Sequence, residues 1–412
     1  MATSLVDSSQ LAIRSSFRGE GEGGMEDQRT RGKIDTDIVE KIMKRYMDGK
    51  IPIDKFELFI DITTPTGYLF FLIDRWLDIA LQNGVRDLVY INLGYHSSFN
   101  IFEMLTAKYL RELVLGNCNL VYFFSLPTSH VGNCHSLRKL SLTNVTLDDD
   151  MLQGLLSNYP LIENLIILYC HGRKKLEVRN LQKIRSLSIT IGREQSVKIQ
   201  APTLEHLSYF SYSLEELDIA EYPNLKSLEL SGCFAPRRIN IGRSESLRVL
   251  KIKNVHIFYS QKIEVDAPNL VLLEYEVSHL YDKRFYWLME FLANSTSWSQ
   301  VSIQFYGCDK IDMEYLKQHY RVATLQVDVL DVILESRDDS PTLVDALLWC
   351  FHPRRLNISS SFKMIRYFMN RLLHMKNSIH STSHGNKPQL SQLKEVKAYK
   401  FDRKNENSEA GS

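Results

Sequence analysis

The carboxylates of Asp148, Asp149 and Asp150 could hold a hard cation, because clustered aspartates are common ligands of Ca²⁺ and Mg²⁺. They stand directly before Met151 and Leu155, which share one face at helical spacing. An aspartate in such a position accepts backbone N–H groups of the first helical turn and opposes the positive end of the helix dipole. The pattern therefore predicts a capped helix rather than a metal site.

Three other polar segments lack the spacing that catalysis or ligand binding requires. His374, His380 and His384 lie in or beside a Ser- and Asn-rich stretch, which favours a polar loop over a metal site. The glycines of residues 19–24 lack the Gly-Lys-Ser/Thr ending of a phosphate-binding loop. The basic run at residues 171–175 is typical of a solvated turn. We therefore predict no catalytic, cofactor-binding or metal-binding residue and expect that the protein is not an enzyme.

The cysteines indicate a reducing compartment. No two of them have the Cys-x-x-Cys spacing of a zinc site or a redox pair, so we interpret them as reduced core residues. The first twenty residues contain no apolar run of the kind found in a secretory signal. We expect an intracellular protein of the cytoplasm, the nucleus or both. The six cysteines are Cys118, Cys134, Cys170, Cys233, Cys308 and Cys350.

The charge balance argues against two classes of partner. Lys and Arg number 50 and Asp and Glu number 49, so the formal net charge of +1 creates no overall field that attracts nucleic acid or an anionic membrane. The most apolar segment, residues 68–81, is interrupted by Asp74, Arg75 and Asp78 and does not predict a membrane-spanning helix. We therefore expect no nucleic-acid partner and no membrane association.

The main signal is a leucine-rich repeat. Residues 110–120 fit the template L-x-x-L-x-L-x-x-N/C-x-L at every specified position, and shorter versions recur about every 20–27 residues. Each unit supplies one short strand whose leucines point inward, and stacking of neighbouring units forms the core. Cys118, Cys170 and Cys233 occupy the template position of a small packed residue. The motifs begin at Leu110, Leu137, Ile162, Ile184, Leu204, Leu225, Leu247 and Leu270.

The segments that connect the motifs are predicted to change from helix to short strand. Residues 149–157 have a helical pattern, whereas later connections carry alternating apolar pairs. The resulting fold class is α/β, a leucine-rich-repeat solenoid with a curved, parallel, concave sheet and with helices and then short strands on its back. The pairs are Leu176/Val178, Val197/Ile199, Leu217/Ile219, Ile239/Ile241 and Ile263/Val265.

The domain organisation follows from where this period starts and fades. Residues 1–33, rich in Gly, Glu, Ser and Arg, are expected to be a disordered tail. Residues 34–280 form the solenoid and begin with two helix-then-strand units. Residues 281–401 are expected to contain further helix-strand repeats and a cap, and residues 402–412 a second disordered tail.

The residues between the inward leucines are the candidate binding residues. Because side chains alternate along a strand, these residues share the opposite, concave face. They are mixed in charge and include apolar members, which suits a protein or peptide better than a phosphate-bearing ligand. The candidates are Glu112, Val114, Lys139, Ser141, Asn164, Ile166, Ser186, Ser188, His206, Ser208, Ser227, Glu229, Val249, Lys251, Leu272 and Glu274.

Several motifs follow one another in a characteristic order along the chain. The first are Phe71-Leu72-Ile73-Asp74-Arg75-Trp76-Leu77-Asp78-Ile79-Ala80 and Asn83-Gly84-Val85-Arg86-Asp87-Leu88, and the leucine motifs come next. With them occur Ala201-Pro202-Thr203-Leu204, Ala267-Pro268-Asn269-Leu270 and the ending Leu393-Lys394-Glu395-Val396-Lys397. Together these motifs resemble those of plant F-box/leucine-rich-repeat proteins. No segment matches the F-box itself, a helical module that begins with Leu-Pro.

The resemblance implies the substrate-recognition subunit of a cullin-type ubiquitin ligase. In that role the repeats hold the protein to be ubiquitinated, and the F-box binds the ligase adaptor. The expected function is therefore a non-enzymatic protein-binding scaffold that captures a protein substrate or peptide, with a cullin-ligase adaptor as a further partner and without a cofactor. The alternative is a small-molecule, hormone-like sensor on the same solenoid.

Overall fold

A computed structural model of the 412-residue chain gives the architecture. The chain divides into two compact units, residues 1–205 and residues 206–412. The division predicted at residue 280 stays a prediction. The structure describes residues 10–17, 25–62, 67–92, 97–98, 104, 107–120, 136–172, 175–178, 181–192, 195–211, 216–218, 222–232, 238–241, 244–253, 262–265, 267–277, 282–293, 298–307, 310–319, 325–335, 340–378 and 392–400.

In the first unit, the described residues form a parallel sheet with the strand order β1, β2, β3, β5, β7, β8, β10. From β3 onward, paired residues of neighbouring strands are 22 to 27 positions apart in the sequence, as a leucine-rich repeat requires. The strands are β1 (Gln10–Phe17), β2 (Lys55–Ile62), β3 (Asp87–Asn92), β5 (Glu112–Gly116), β7 (Lys139–Thr143), β8 (Asn164–Leu168) and β10 (Ser186–Ile191), with the short β4 (Ser97–Ser98), β6 (Cys118–Asn119), β9 (Lys175–Val178) and β11 (Ser196–Ile199) outside this sheet.

The alternating sequence of these strands explains the core. In β5, Leu113 and Leu115 are fully buried whereas Glu112 and Val114 are half-buried. In β8, Leu165 and Ile167 repeat the pattern. Apolar burial of every second residue is the main stabilising contribution of such a strand.

Three helices accompany the first unit: α1 (Met25–Gly49), α2 (Gly67–Gln82) and α3 (Asp149–Asn158). The Glu40 carboxylate on α1 joins the first two, because it accepts hydrogen bonds from the guanidinium of Arg75 at 2.9 Å and from the Trp76 indole N–H at 2.6 Å. The Trp76 ring is buried, so its only polar atom needs such a partner. Asp148 caps α3, since its Oδ1 accepts the backbone N–H of Met151 at 2.7 Å.

In the second unit, the described strands pair in parallel in the order β12, β14, β16, β18, β19, β20, β21, β22. Leu207, Leu228, Leu250 and Leu273 are direct neighbours in register and lie in its core. The strands are β12 (His206–Ser211), β14 (Ser227–Ser231), β16 (Val249–Lys253), β18 (Leu272–Val277), β19 (Trp298–Phe305), β20 (Leu325–Leu334), β21 (Phe351–Ser360) and β22 (Glu395–Lys400).

Further elements of the second unit are short strands and then helices. The strands are β13 (Glu216–Asp218), β15 (Arg238–Ile241) and β17 (Lys262–Val265), which pair in parallel, as β9 and β11 do in the first unit. The helices are α4 (Asp282–Ala293), α5 (Met313–His319), α6 (Pro341–Cys350) and α7 (Phe362–Ser378).

These elements fit an α/β repeat fold, which confirms the predicted class at that level. The alternating apolar pairs fall in β9, β11, β13, β15 and β17, so the prediction of short strands in the connections is confirmed where the structure describes them. Residue 219 lies outside the described residues.

The N-terminus differs from the expectation of a disordered tail over residues 1–33. Residues Gln10–Phe17 form β1, which pairs with β2 along its whole length, and α1 begins at Met25. Leu11 and Ile13 are buried, so apolar alternation in a short polar context supplies this strand's core contacts.

Candidate functional site

The predicted residues of the first unit form two neighbouring rows on the face of the sheet opposite the buried leucines. Strand register places each member directly beside its equivalent in the next strand. The charged row comprises Lys55, Asp87, Glu112, Lys139, Asn164 and Ser186, and the apolar row comprises Glu57, Val89, Val114, Ser141, Ile166 and Ser188.

The charged row is balanced by local ion pairs. The Lys139 ammonium lies 3.0 Å from the Glu112 carboxylate, and the Lys55 ammonium lies 2.7 Å from that of Glu57. The hydrogen bond to Glu57 raises the pKa of Lys55. Burial and the negative charge of Glu112 raise the pKa of Asp87, which stands opposite Glu112 in register. At Asp87 the face therefore presents a carboxylate that a positive partner group would stabilise.

The apolar row gives the same face a strip of partly accessible aliphatic side chains. Val89, Val114 and Ile166 are half-buried, so part of each side chain is accessible to a partner. Ser141, between two of them, is 7% exposed. The arrangement combines accessible aliphatic carbon with flanking charge, which is the usual composition of a protein-binding surface.

The second unit carries the remaining candidates in two further rows. One row comprises His206, Ser227, Val249, Leu272, Gln300, Val329, Arg355 and Glu395. The other comprises Ser208, Glu229, Lys251, Glu274, Ser302, Asp331, Asn357 and Lys397. His206 is exposed, and the other predicted residues here are half-buried.

Polar contacts across strands cover much of this second surface. The ammonium of Lys251 lies 2.8 Å from the Glu274 carboxylate, and that of Lys253 lies 3.0 Å from the carboxylate of Glu229. The hydrogen bond to Glu229 raises the pKa of Lys253. These ion pairs join neighbouring strands whose paired residues are 22 or 23 positions apart in the sequence. They therefore stabilise the strand register as well as balance the charge.

A carboxylate clamp continues the surface beyond the predicted residues. Asp331 accepts hydrogen bonds from the side-chain amides of Gln300 at 2.8 Å and Asn357 at 2.7 Å. Three neighbouring strands, β19, β20 and β21, are thereby linked on one face. The sequence analysis missed these residues and also Lys55, Glu57, Asp87 and Val89. The signal that would have found them is the alternation of β2, β3, β19 and β20, which continues the leucine pattern without matching its template.

An asparagine directly follows each of the neighbouring strands β5 and β7, and the two side chains form an asparagine ladder. Asn117 and Asn144 have φ of 55° and 52°, a left-handed conformation that asparagine tolerates better than most residues. The Asn144 amide donates to the side-chain oxygen of Asn117 at 2.6 Å, and His171 Nε2 lies 3.1 Å from the Asn144 oxygen. His171, from the predicted basic turn, is exposed and thus contacts the ladder at its surface.

Of the groups that first suggested chemistry, Asp148, Cys118 and Cys170 have structural roles. Asp148 is a helix cap, as predicted. Cys118 is fully buried, and burial raises the pKa of its thiol to about 12, so the thiol stays protonated at neutral pH. Cys170 donates to the carbonyl oxygen of Leu142 at 3.4 Å. His380, His384, Cys233 and the glycines of residues 19–24 lie outside the described residues, whereas His374 is exposed on α7.

Two searches confined to the described part of the chain were negative. Within those ranges, no three His, Cys, Asp or Glu residues are placed to hold a metal ion together. None of the helices there is both long and apolar enough to cross a membrane.

Comparison with known proteins supports the repeat assignment. Residues 42–233 match the leucine-rich-repeat family described as "At1g61320/AtMIF1, LRR domain". The resemblance to plant F-box/leucine-rich-repeat proteins is confirmed. The putative F-box protein At3g58860 of Arabidopsis thaliana is 25% identical over 242 residues, which cover 57% of this chain and 50% of that protein.

Two further relatives from Arabidopsis thaliana have similar identity. The F-box protein At5g03100 is 27% identical over 180 residues, 44% of this chain and 55% of that protein. The F-box/LRR-repeat protein At3g03360 is 27% identical over 165 residues, 36% of this chain and 34% of that protein. The chain thus spans about half the length, or less, of the curated relatives it matches.

Proposed function

We propose that this protein is a non-enzymatic scaffold that captures a protein or peptide through the sheet face opposite its buried leucines. The observation that carries the proposal is the in-register alignment of the charged and apolar rows in the first unit. In a leucine-rich repeat, the leucines on one side of the sheet form the core, and the side chains on the other side are available to bind a partner. In this proposal the stacked repeats form a curved solenoid with that face on the concave side.

The apolar row supplies affinity, and the neighbouring charges supply selectivity. Aliphatic side chains such as Val114 and Ile166 gain free energy when a partner removes their accessible carbon from water. The pKa of Asp87 is raised by burial and by Glu112, so its carboxylate would be stabilised by a partner's Lys or Arg. We therefore expect an extended or helical segment with aliphatic residues and one basic residue.

At the level of cellular role, we propose a substrate receptor of a cullin-type ubiquitin ligase. The support is the similarity to plant proteins named as F-box and F-box/LRR-repeat proteins. In this role the repeats hold the substrate without chemistry of their own. Cytoplasm and nucleus are the compartments that this role requires.

Affinity purification of the full chain from a plant extract, with and without changes to the face, tests both levels. The test variant is Val114→Lys with Ile166→Lys, because a lysine stem preserves some packing on the sheet while its charge disrupts an apolar contact. The matched control is Tyr68→Lys with Phe71→Lys, which adds the same two charges on α2, where these side chains are 66% and 61% exposed. Thermal unfolding verifies that all three proteins fold.

We expect reproducible partners with the parent and the control and their loss from the test variant. Equal recovery with the test variant would contradict binding through this face. Recovery of cullin-ligase adaptor subunits supports the ligase role, whereas partners without any adaptor would limit the proposal to a stand-alone scaffold.

A further inference from the structure

The last fifty residues of the sheet-forming region carry a strong positive net charge, whereas the rest of the chain does not. Residues 351–400 contain ten Lys or Arg residues and one acidic residue, Glu395. The other 362 residues hold the remaining 40 basic and 48 acidic residues of the chain's 50 and 49. The near-neutral whole therefore conceals a strongly basic segment in the second unit.

Helix α7 lies at the centre of this segment and has an unusual solvent face. It contains Lys363, Arg366, Arg371 and Lys376 and no acidic residue. Arg371 forms an ion pair with α6, since its Nε lies 2.6 Å from the Asp345 carboxylate. Lys363, Arg366 and Lys376 are exposed.

An apolar row runs along that solvent face. Phe362, Met369 and Leu373 are 67%, 38% and 54% exposed, and their spacing of seven and four residues places them on one line of the helix. A different face of the helix packs into the core of the unit, because Met364, Phe368 and Leu372 are buried there. The row is therefore not the helix's contribution to the core.

Charge decides which partner this row fits. Arg366 and Lys376 are exposed on its two sides, so a partner that covers the row must bring negative charge beside its own apolar groups. We propose that the solvent face of α7 docks an acidic, amphipathic segment of a partner protein. This surface is additional to the sheet face and does not depend on the function proposed for it.

Other anionic partners fit the same surface less well. A nucleic acid gains little from Met369 and Leu373, because phosphate recognition uses cations and base stacking uses aromatic rings. A membrane-surface helix inserts a broad apolar face, whereas α7 has its broad face buried and offers only a narrow row.

The chain's own end is also a poor occupant. Strand β22, which contacts α7, ends at Lys400. Residues 402–412 contain Asp402, Glu406 and Glu409 but only Ala410 as an apolar residue. Arg403 and Lys404 offset two of these three negative charges, so the segment lacks both the strong negative charge and the apolar groups that the row requires.

The proposal is tested with the full chain and a synthetic helical peptide of about 18 residues that carries a leucine row flanked by Glu. Fluorescence anisotropy measures its binding to the parent, to Leu373→Ala and to Arg366→Glu. The control is Phe71→Ala, which truncates an equally exposed apolar side chain on α2. A second peptide replaces every Glu with Lys.

We expect saturable, salt-sensitive binding of the Glu peptide, weakened about tenfold by Leu373→Ala and unchanged in the control. Arg366→Glu should weaken the Glu peptide and strengthen the Lys peptide, which a purely apolar contact would not do. Three results would overturn the proposal: no binding of the Glu peptide, equal binding to the variants, or binding only of phosphatidylserine vesicles or a single-stranded oligonucleotide. Stronger peptide binding after removal of residues 401–412 would make the chain's own tail the occupant and would equally overturn it.

Discussion

Replacement of Leu228 by alanine tests whether the leucines form a continuous core in the second unit. Leu228 is fully buried in β14, between Leu207 of β12 and Leu250 of β16. Removing its outer carbons leaves a cavity walled by other strands, which cannot close by moving a surface loop. We therefore expect a loss of about 3–5 kcal/mol in the free energy of unfolding, the upper part of the range for such changes.

The control for Leu228→Ala is its neighbour Ser227→Ala. Ser227 is half-buried on the opposite face, so its replacement should change stability by less than about 0.5 kcal/mol. Urea unfolding followed by tryptophan fluorescence suits this unit, because Trp287, Trp298 and Trp349 all lie in it. Equal midpoints for the parent and Leu228→Ala, or a larger effect of Ser227→Ala, would refute the inward assignment of the leucines.

Three further predictions concern local structure. Asp148→Ala should lower the free energy of unfolding by about 1 kcal/mol, because it removes the cap on the Met151 N–H, whereas Asp148→Asn should lower it less; thermal unfolding measures both. Gly232→Ala should destabilise by about 1–3 kcal/mol, since the φ of 66° disfavours a side chain and the new Cβ would collide with the Phe210 ring; a normal melting temperature would contradict this strain. The Cys118 thiol should resist alkylation in the folded protein at pH 8 and react in urea. Because its folded pKa of about 12 exceeds its ordinary value of 9.0, its contribution to stability should be constant below pH 9 and decline as the pH rises towards 12, measured as urea midpoints across that range.

The local part of the fold could be predicted because its causes are local. Alternation of Leu113 and Leu115 with Glu112 and Val114 predicts a strand and assigns its two faces at once. The capping role of Asp148 follows from its position before an apolar helical run.

Features that depend on which strands pair could not be predicted from the sequence. Strand β1 has two buried apolar residues in a polar stretch, and its stability comes from pairing with β2, 45 residues further along the chain. The clamp around Asp331 joins residues 26 and 31 positions away, so it exists only once the register of β19, β20 and β21 is set.

The candidate face was predicted in kind but not in extent. The leucine template identified its central residues, and the strands on either side, which depart from the template, were left out. The charge neutrality of the whole chain also concealed the basic surface of α7, because net charge averages over regions that the fold keeps apart.

Site-specific photo-crosslinking tests the central claim most directly. A photoreactive phenylalanine analogue placed at Ile166, on the apolar row, should cross-link a protein partner in a plant extract. The same analogue at Phe71 on α2 serves as the control, because it is at least as exposed and lies off that face. A partner cross-linked from position 166 and absent from position 71 is the predicted result. A partner captured equally from both positions, or from position 71 alone, would contradict the assignment of this face as the binding surface.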